Sequence, residues 1–406
     1  MGQPTEIIER IPGTLPDLNM DLSTMLRRFF LPTIASLVFA VPVLAQVTAD
    51  RVLYRDRTQD GKVVTVEGEA KESASGVQVI GADKKVKAIS ANDMVRVDYG
   101  TVPGVERTGQ LSAITLETSG DPVKTAGEYR KLMAFPGATG NPKAKRYLEF
   151  RELAWSARIA DAKAGDEFKL EGKKVADRLV VYSKANAASW EAWTTARLAA
   201  RFFCELEDLT AASDAIAILS RNAALTPELR HEAKLIEAGY LFRANKRPDA
   251  EGILKELAAD KAFPATGPLR ERWAIFDEVL KAPLPPPQRK DTDPPAAPEE
   301  LDARHAKVKE AAAKIEALIA KAKDPAARGA GYGALGEVFI RHGLWRDAMW
   351  AYLWVDVVYN QDRDEQVKAV HRLVQIFTVL KDKDKAGEGE KDRAETYRDR
   401  LPRIRG

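Results

Sequence analysis

Residues 329–359, GAGYGALGEVFIRHGLWRDAMWAYLWVDVVY, decide the architecture. Leu335, Gly336, Phe339, Gly343, Ala348 and Tyr352 recur at intervals that place two short helices against each other. Gly336 and Ala348 are small where the helices approach closely, and Leu335, Phe339 and Tyr352 fill the space around that contact. Gly343 falls between the two helices, where glycine ends the first in a left-handed conformation at low cost.

The same spacing recurs elsewhere. Ala199, Ala200, Phe203, Ala212, Ile216 and Leu219 repeat it, and 38 residues later Glu237, Ala238, Leu241, Ala250, Leu254 and Leu257 take the equivalent places. The same step carries Leu335 to Leu373, Phe339 to Phe377 and Ala348 to Ala386. This pattern resembles the tetratricopeptide repeat, a helix-turn-helix unit that stacks into a solenoid, with about four residues more than its usual period of about 34. The resemblance is tightest over residues 328–401. It implies a concave groove lined by the first helix of each unit, where peptide segments bind. Carried onto this chain, the groove-facing places are Arg197, Arg201, Glu232, Arg243, Glu337, Arg341, Lys368, His371 and Gln375. Arg201, Gly239, Glu337 and Gln375 stand where an asparagine-centred clamp for acidic tails would need asparagine, so that ligand class does not fit.

Outward from the repeats the pattern changes twice. Before them, residues 52–54, 63–66, 77–80, 86–89 and 94–99 alternate with period two and are separated by turn-forming residues, including Asp60-Gly61. Five short strands in about fifty residues predict a small antiparallel barrel-like domain over 46–100, similar in shape class to SH3-like folds. Such a module either binds a peptide or glycan at an open edge or caps the helices behind it. Helical patterning runs through a first block at 107–281, with pairs divided near Gly120 and at Ala164-Gly165. Residues 282–300 hold seven prolines and read as an extended linker. A second block covers 301–406. It opens with a helix at 299–323 whose stripe is Leu301, Val308 and Ile315 with His305, Ala312 and Ile319, and a charged interruption at 381–391 precedes a last helix.

Residues 25–45, MLRRFFLPTIASLVFAVPVLA, have the build of a secretory leader: Arg27 and Arg28, an apolar run, and a small-residue cleavage site before Gln46. The alternative is a retained anchor, for which the apolar run is short of the ~20 residues of a span. Met20 and Met25 are alternative starts for such a leader. Residues 1–45 are therefore read as an N-terminal extension plus signal peptide, and the chain as exported, periplasmic or associated with the cell envelope.

The chain carries 63 Lys and Arg against 60 Asp and Glu, a net charge of +3, which argues against a protein built to hold nucleic acid. At 45% hydrophobic it has ample material for a core. Its single cysteine, Cys204, reads as a small buried hydrophobe beside Phe202, Phe203 and Leu206. His231, His305, His342 and His371 share no metal-ligand spacing, and there is no phosphate-cradling glycine loop and no nucleophile elbow. Glu205 and Glu207 read as acids of a solvated helix. Trp345, Trp350 and Trp354 are read as packing residues, with Trp350 and Trp354 alternatively an exposed anchor for a partner.

The sequence thus predicts a mainly α protein, an α-solenoid of tetratricopeptide-like pairs behind a small antiparallel β-barrel-like domain. Its expected function is that of a non-catalytic exported scaffold or adaptor that binds protein or peptide partners and needs no cofactor or metal. The membrane enters only through the leader. The rival readings are cell-wall or carbohydrate binding by the β domain, and an enzyme with a site at the β/α junction.

Overall fold

The computed structural model describes residues 49–56, 62–102, 104–285, 298–383 and 388–405. The leader at 25–45, the Asp60-Gly61 turn, most of the proline-rich segment and Ala386 lie outside these residues. Five antiparallel strands come first: β1 (Asp50–Asp56), β2 (Lys62–Ser73), β3 (Gly76–Ile80), β4 (Val86–Ser90) and β5 (Met94–Asp98), in the order β4-β3-β2-β1-β5. β2 is longer than its alternation suggests because it serves two partners. Its first half pairs with β1 and its second half with β3, and the changeover falls at Gly68. A Cβ there would lie 2.3 Å from the Ile80 carbonyl oxygen, so only glycine lets the strands cross so closely.

Fifteen α-helices follow among the described residues. In the first block they are α1 (Arg107–Ser119), α2 (Pro122–Met133), α3 (Pro136–Thr139), α4 (Pro142–Asp161), α5 (Gly165–Ala185), α6 (Glu191–Glu205), α7 (Leu209–Ser220), α8 (Pro227–Arg243), α9 (Arg247–Ala259) and α10 (Pro268–Lys281). The second block holds α11 (Pro298–Lys321), α12 (Pro325–Arg341), α13 (Trp345–Leu353), α14 (Arg363–Lys383) and α15 (Glu388–Arg405), with a wider π turn at Trp354–Val358. Starts are set by capping chemistry. Asp121, Asn141 and Asp324 each accept backbone N–H groups of the next turn, and each is followed by a proline at the first helical position. Gly343, at φ +72°, closes the α12–α13 turn as the sequence predicts.

The repeat residues sit where their spacing puts them. Ala199, Ala200, Phe203, Ala212, Ile216 and Leu219 are buried between α6 and α7, and Ala238, Leu241, Ala250, Leu254 and Leu257 between α8 and α9. On α11, Val308, Ala312, Ile315 and Ile319 are buried while Leu301 stays exposed. Two large apolar cores result. The first joins the inner face of the sheet to the helices as far as α8, and the second runs from α8 to α15. Helix α8 serves both, with Leu229, Ala233 and Tyr240 in one and Leu235, Ala238 and Phe242 in the other.

Beyond the contacts between neighbours in sequence, α14 packs on α6 and α15 on α4. The C-terminal helices therefore return to the first block.

At the heart of the opening stretch, the close neighbour of Gly336 is the ring of Tyr352, not the backbone of α13. A Cβ on Gly336 would stand 2.6 Å from Tyr352 Cε2 and 2.8 Å from Cζ. Gly336→Ala should lower stability by about 1–3 kcal/mol through this overlap, although alanine is the better helix former. Thermal unfolding checks this: a melting temperature at or above wild type contradicts the packing described.

Candidate functional site

The nine groove positions lie on α6, α8, α12 and α14, and eight of them, all but His371, have a hydrogen-bond partner within the chain among the described residues. Arg197 on α6 donates from Nε to Asp364 at 2.9 Å and from Nη1 to Asn92 at 2.6 Å, and its Nη2 lies 3.3 Å from Asp362. Asp364 and Asp362 outweigh the burial of this guanidinium and hold it charged. Arg201 grips Asp161 through two bonds of 2.8 and 2.7 Å. Beside it Glu205 accepts from Arg405, so the reading of Glu205 as a solvated acid is overturned, while Glu207 is exposed. Burial pushes the Glu205 carboxyl up, against the pull of Arg405 and Arg201.

Glu232 accepts two 3.2 Å bonds from Asn92, a residue of the β4–β5 turn that also accepts from Trp193. Asn92 is thus the sheet's plug into the helices. On α12, Arg341 donates to the Phe242 carbonyl and stacks its guanidinium 4.0 Å from the Phe242 ring. Lys368 on α14 is buried, donates to Glu365 at 2.8 Å, and lies 4.6 Å from the Tyr240 ring centroid. Burial would draw its proton off, but Glu365 and Tyr240 keep the ammonium charged. Gln375 donates to Glu207 at 2.5 Å and accepts from Arg372 at 2.7 Å. His371 is pushed down to about 3 by burial and by the Arg372 and Arg243 cations, so it is neutral near pH 7.

Glu337 is the centre of this layer. Its buried carboxylate accepts from Arg372 at 2.8 and 3.2 Å and from the Tyr352 hydroxyl at 2.8 Å, and Arg243 Nε lies 3.0 Å away. Burial alone would raise this carboxyl; Arg243 and Arg372 more than reverse that and bring it down to about 2. Arg243 also donates to Sγ of the buried Cys204 at 3.0 Å. The partners that sequence reasoning missed are Asn92, Asp161, Asp362, Asp364, Arg372 and Arg405. Most of them stand 40 to 204 residues away along the chain, beyond the reach of any local signal.

The tryptophans divide. Trp345 is half-buried against the second core, as a packing residue should be. Trp350 and Trp354 are 62% and 43% exposed, which overturns their reading as packing residues. Val355 and Asp356 of the π turn face inward, continuing the buried pairs Ala348-Met349 and Ala351-Tyr352 of α13, and Asp356 takes a two-bond ion pair from Arg400 at 2.8 and 3.0 Å. Trp354, Val357 and Val358 are left outside with Trp350. Trp354 is held flat against Tyr332 and Tyr359, with centroids 5.7 and 6.1 Å away.

At the junction of sheet and helices, Glu72 accepts from Tyr99 and Arg146, and Glu191 lies 3.4 Å from Arg146 Nε. Burial pushes Glu191 up to about 7. No group of three or more metal-ligating side chains is present among the described residues. None of their helices is long and apolar enough to cross a membrane. The chain matches no family model, no curated protein and no solved structure.

Glu337→Gln leaves Arg243 and Arg372 buried with only a neutral acceptor, and should cost about 3 kcal/mol at pH 7. The Glu337 carboxyl is depressed from its ordinary 4.5 to about 2, so the stability it contributes is complete above 4.5 and disappears as pH falls toward 2. Urea unfolding should show the wild type's advantage over the variant shrinking between pH 7 and pH 3. A difference that stays constant across that range would contradict the assignment.

Proposed function

We propose that this protein is a non-catalytic scaffold of the cell envelope, built as a tetratricopeptide-like solenoid behind an SH3-like module, which docks a protein partner on its outer aromatic face. The observation that carries the reading is the exposure of Trp350 and Trp354 beside the exposed Val357 and Val358 on one side of α13 and the π turn. Scattered exposed apolar residues need no explanation, but a contiguous aromatic and aliphatic patch is the usual mark of an interaction site. Tryptophan dominates the binding energy of protein interfaces, and the Tyr332 and Tyr359 rings hold Trp354 in place before a partner arrives. Export rests on the leader at 25–45.

The inward layer serves this function as framework. Its charges are matched within the chain, so it offers a peptide few free groups, and the outer face becomes the docking surface. An acid–base role has one observation in its favour, the raised carboxyl of Glu191. That side chain is 1% exposed, which gives a substrate no approach to it.

Affinity capture from envelope extract tests the proposal. Trp350→Ala, at the more exposed of the two tryptophans, should reduce recovery of at least one partner by about tenfold or more, with stability changed by no more than about 0.5 kcal/mol. A capture profile identical to wild type overturns the outer face as the docking surface. Charge reversal at Lys368 is unsuited to this purpose, because that buried ammonium holds Glu365 and any loss of capture would follow from misfolding.

A further inference from the structure

The sheet ends in β4 on one side and β5 on the other. β5 is buried or half-buried along its whole length, whereas Val86, Lys87 and Ala88 of β4 are all exposed. The hydrogen bonds of the β3–β4 pair fix which groups face outward. Ala91 donates to the Ser75 carbonyl at one end, and Gly81 donates to the Lys85 carbonyl at the other. Antiparallel pairing alternates, so between those ends the bonds run through Val77 with Ile89 and Val79 with Lys87. Val86 and Ala88 therefore turn their N–H and C=O groups away from β3. Those groups meet no partner in the chain among the described residues.

Side chains alternate along the same edge. Lys85, just before β4, and Lys87 lie on the face of the buried Ile89, while Val86 and Ala88 lie on the other face. Residues 83–87, DKKVK, carry three lysines and one aspartate. The aspartate bridges Lys85 at 3.0 Å, and Lys87 donates to the neutral Tyr54 hydroxyl, so the edge keeps a net positive charge. Such an edge repels a second copy of itself, because pairing β4 with β4 would bring lysine against lysine. The same charges attract an acidic strand.

We propose that β4 is a docking edge for an extended acidic segment of a partner protein, in which carboxylate side chains alternate with apolar ones. The segment adds a further strand to the sheet. Its backbone bonds to Val86 and Ala88, its carboxylates lie along Lys85 and Lys87, and its apolar side chains lie beside Val86. Main-chain bonds supply the affinity, and the two alternating faces supply the selectivity. The edge belongs to the sheet and not to the helices that carry Trp350 and Trp354, so its test stands or falls separately from docking on the aromatic face.

The test uses the full chain and a short capped peptide alternating glutamate and valine, followed by fluorescence polarisation and amide hydrogen exchange. The peptide should bind saturably and slow exchange at the Val86 and Ala88 amides. A lysine–valine counterpart, and the glutamate–valine peptide methylated on its backbone nitrogens, should each bind at least about tenfold more weakly. Ala88→Pro removes only an outward N–H, since Ala88 donates nothing to β3, and should weaken binding about tenfold with the fold retained. Lys85→Glu, at a side chain 88% exposed, should weaken the acidic peptide about threefold. Absence of saturable binding overturns the proposal, as does binding without protection at Val86 and Ala88. Equal affinity for the methylated or the lysine peptide overturns it too, and so does undiminished binding by a folded Ala88→Pro variant. Should that variant fail to fold, the methylated peptide decides the same point on the wild-type chain.

Discussion

The carboxylate of Glu337 is buried where α8, α12, α13 and α14 meet, and the helical body depends on its being matched there. A charge so deep is tolerated only when its partners are close and correctly placed. Arg243 comes from α8, Arg372 from α14 and the Tyr352 hydroxyl from α13. Displacing any one of those helices strands a charge, so a single residue of α12 fixes the positions of three others. The outer contacts of the same kind extend the logic: Arg201 pairs with Asp161 within the first block, while Arg197 with Asp364 and Arg405 with Glu205 tie that block to the C-terminal helices. Hydrophobic burial supplies most of the driving force for such a body, while these polar matches select one arrangement of it.

Much of the framework was legible because it is written locally. The spacing from Leu335 through Tyr352 places α12 and α13, and its copies place α6 with α7 and α8 with α9. Alternation places five strands, although the length of β2 escapes it, since the change of partner at Gly68 depends on where β3 lies. The capping pairs Asp121-Pro122, Asn141-Pro142 and Asp324-Pro325 would have sharpened the helix starts. The helices that carry the expected groove residues were legible, and the partners of those residues were not. Whether Arg197 faces a ligand or Asp364 depends on a contact spanning 167 residues, and nothing near Arg197 in the sequence records it. Glu205 was misread for the same reason, its partner Arg405 being 200 residues away.

Trp350 and Trp354 show the opposite failure. Helical spacing correctly puts them on one face, yet it cannot say whether the next helix covers that face. The inward pairs Ala348-Met349, Ala351-Tyr352 and Val355-Asp356 are covered, while no helix among the described residues buries the tryptophan face. The proposal of an outer docking face rests on this uncovered aromatic surface.

The central claim is that the inward charges serve the chain itself, and a double-mutant cycle across the α6–α14 contact tests it most directly. Arg197→Ala, Asp364→Ala and the double variant, compared by urea unfolding, isolate the interaction between side chains that lie 2.7 Å apart on helices of different blocks, 167 residues apart in the chain. The account predicts a coupling energy of about 1.5 kcal/mol or more for this largely buried pair. A coupling within about 0.5 kcal/mol of zero, the range expected of sites that do not interact, would contradict it.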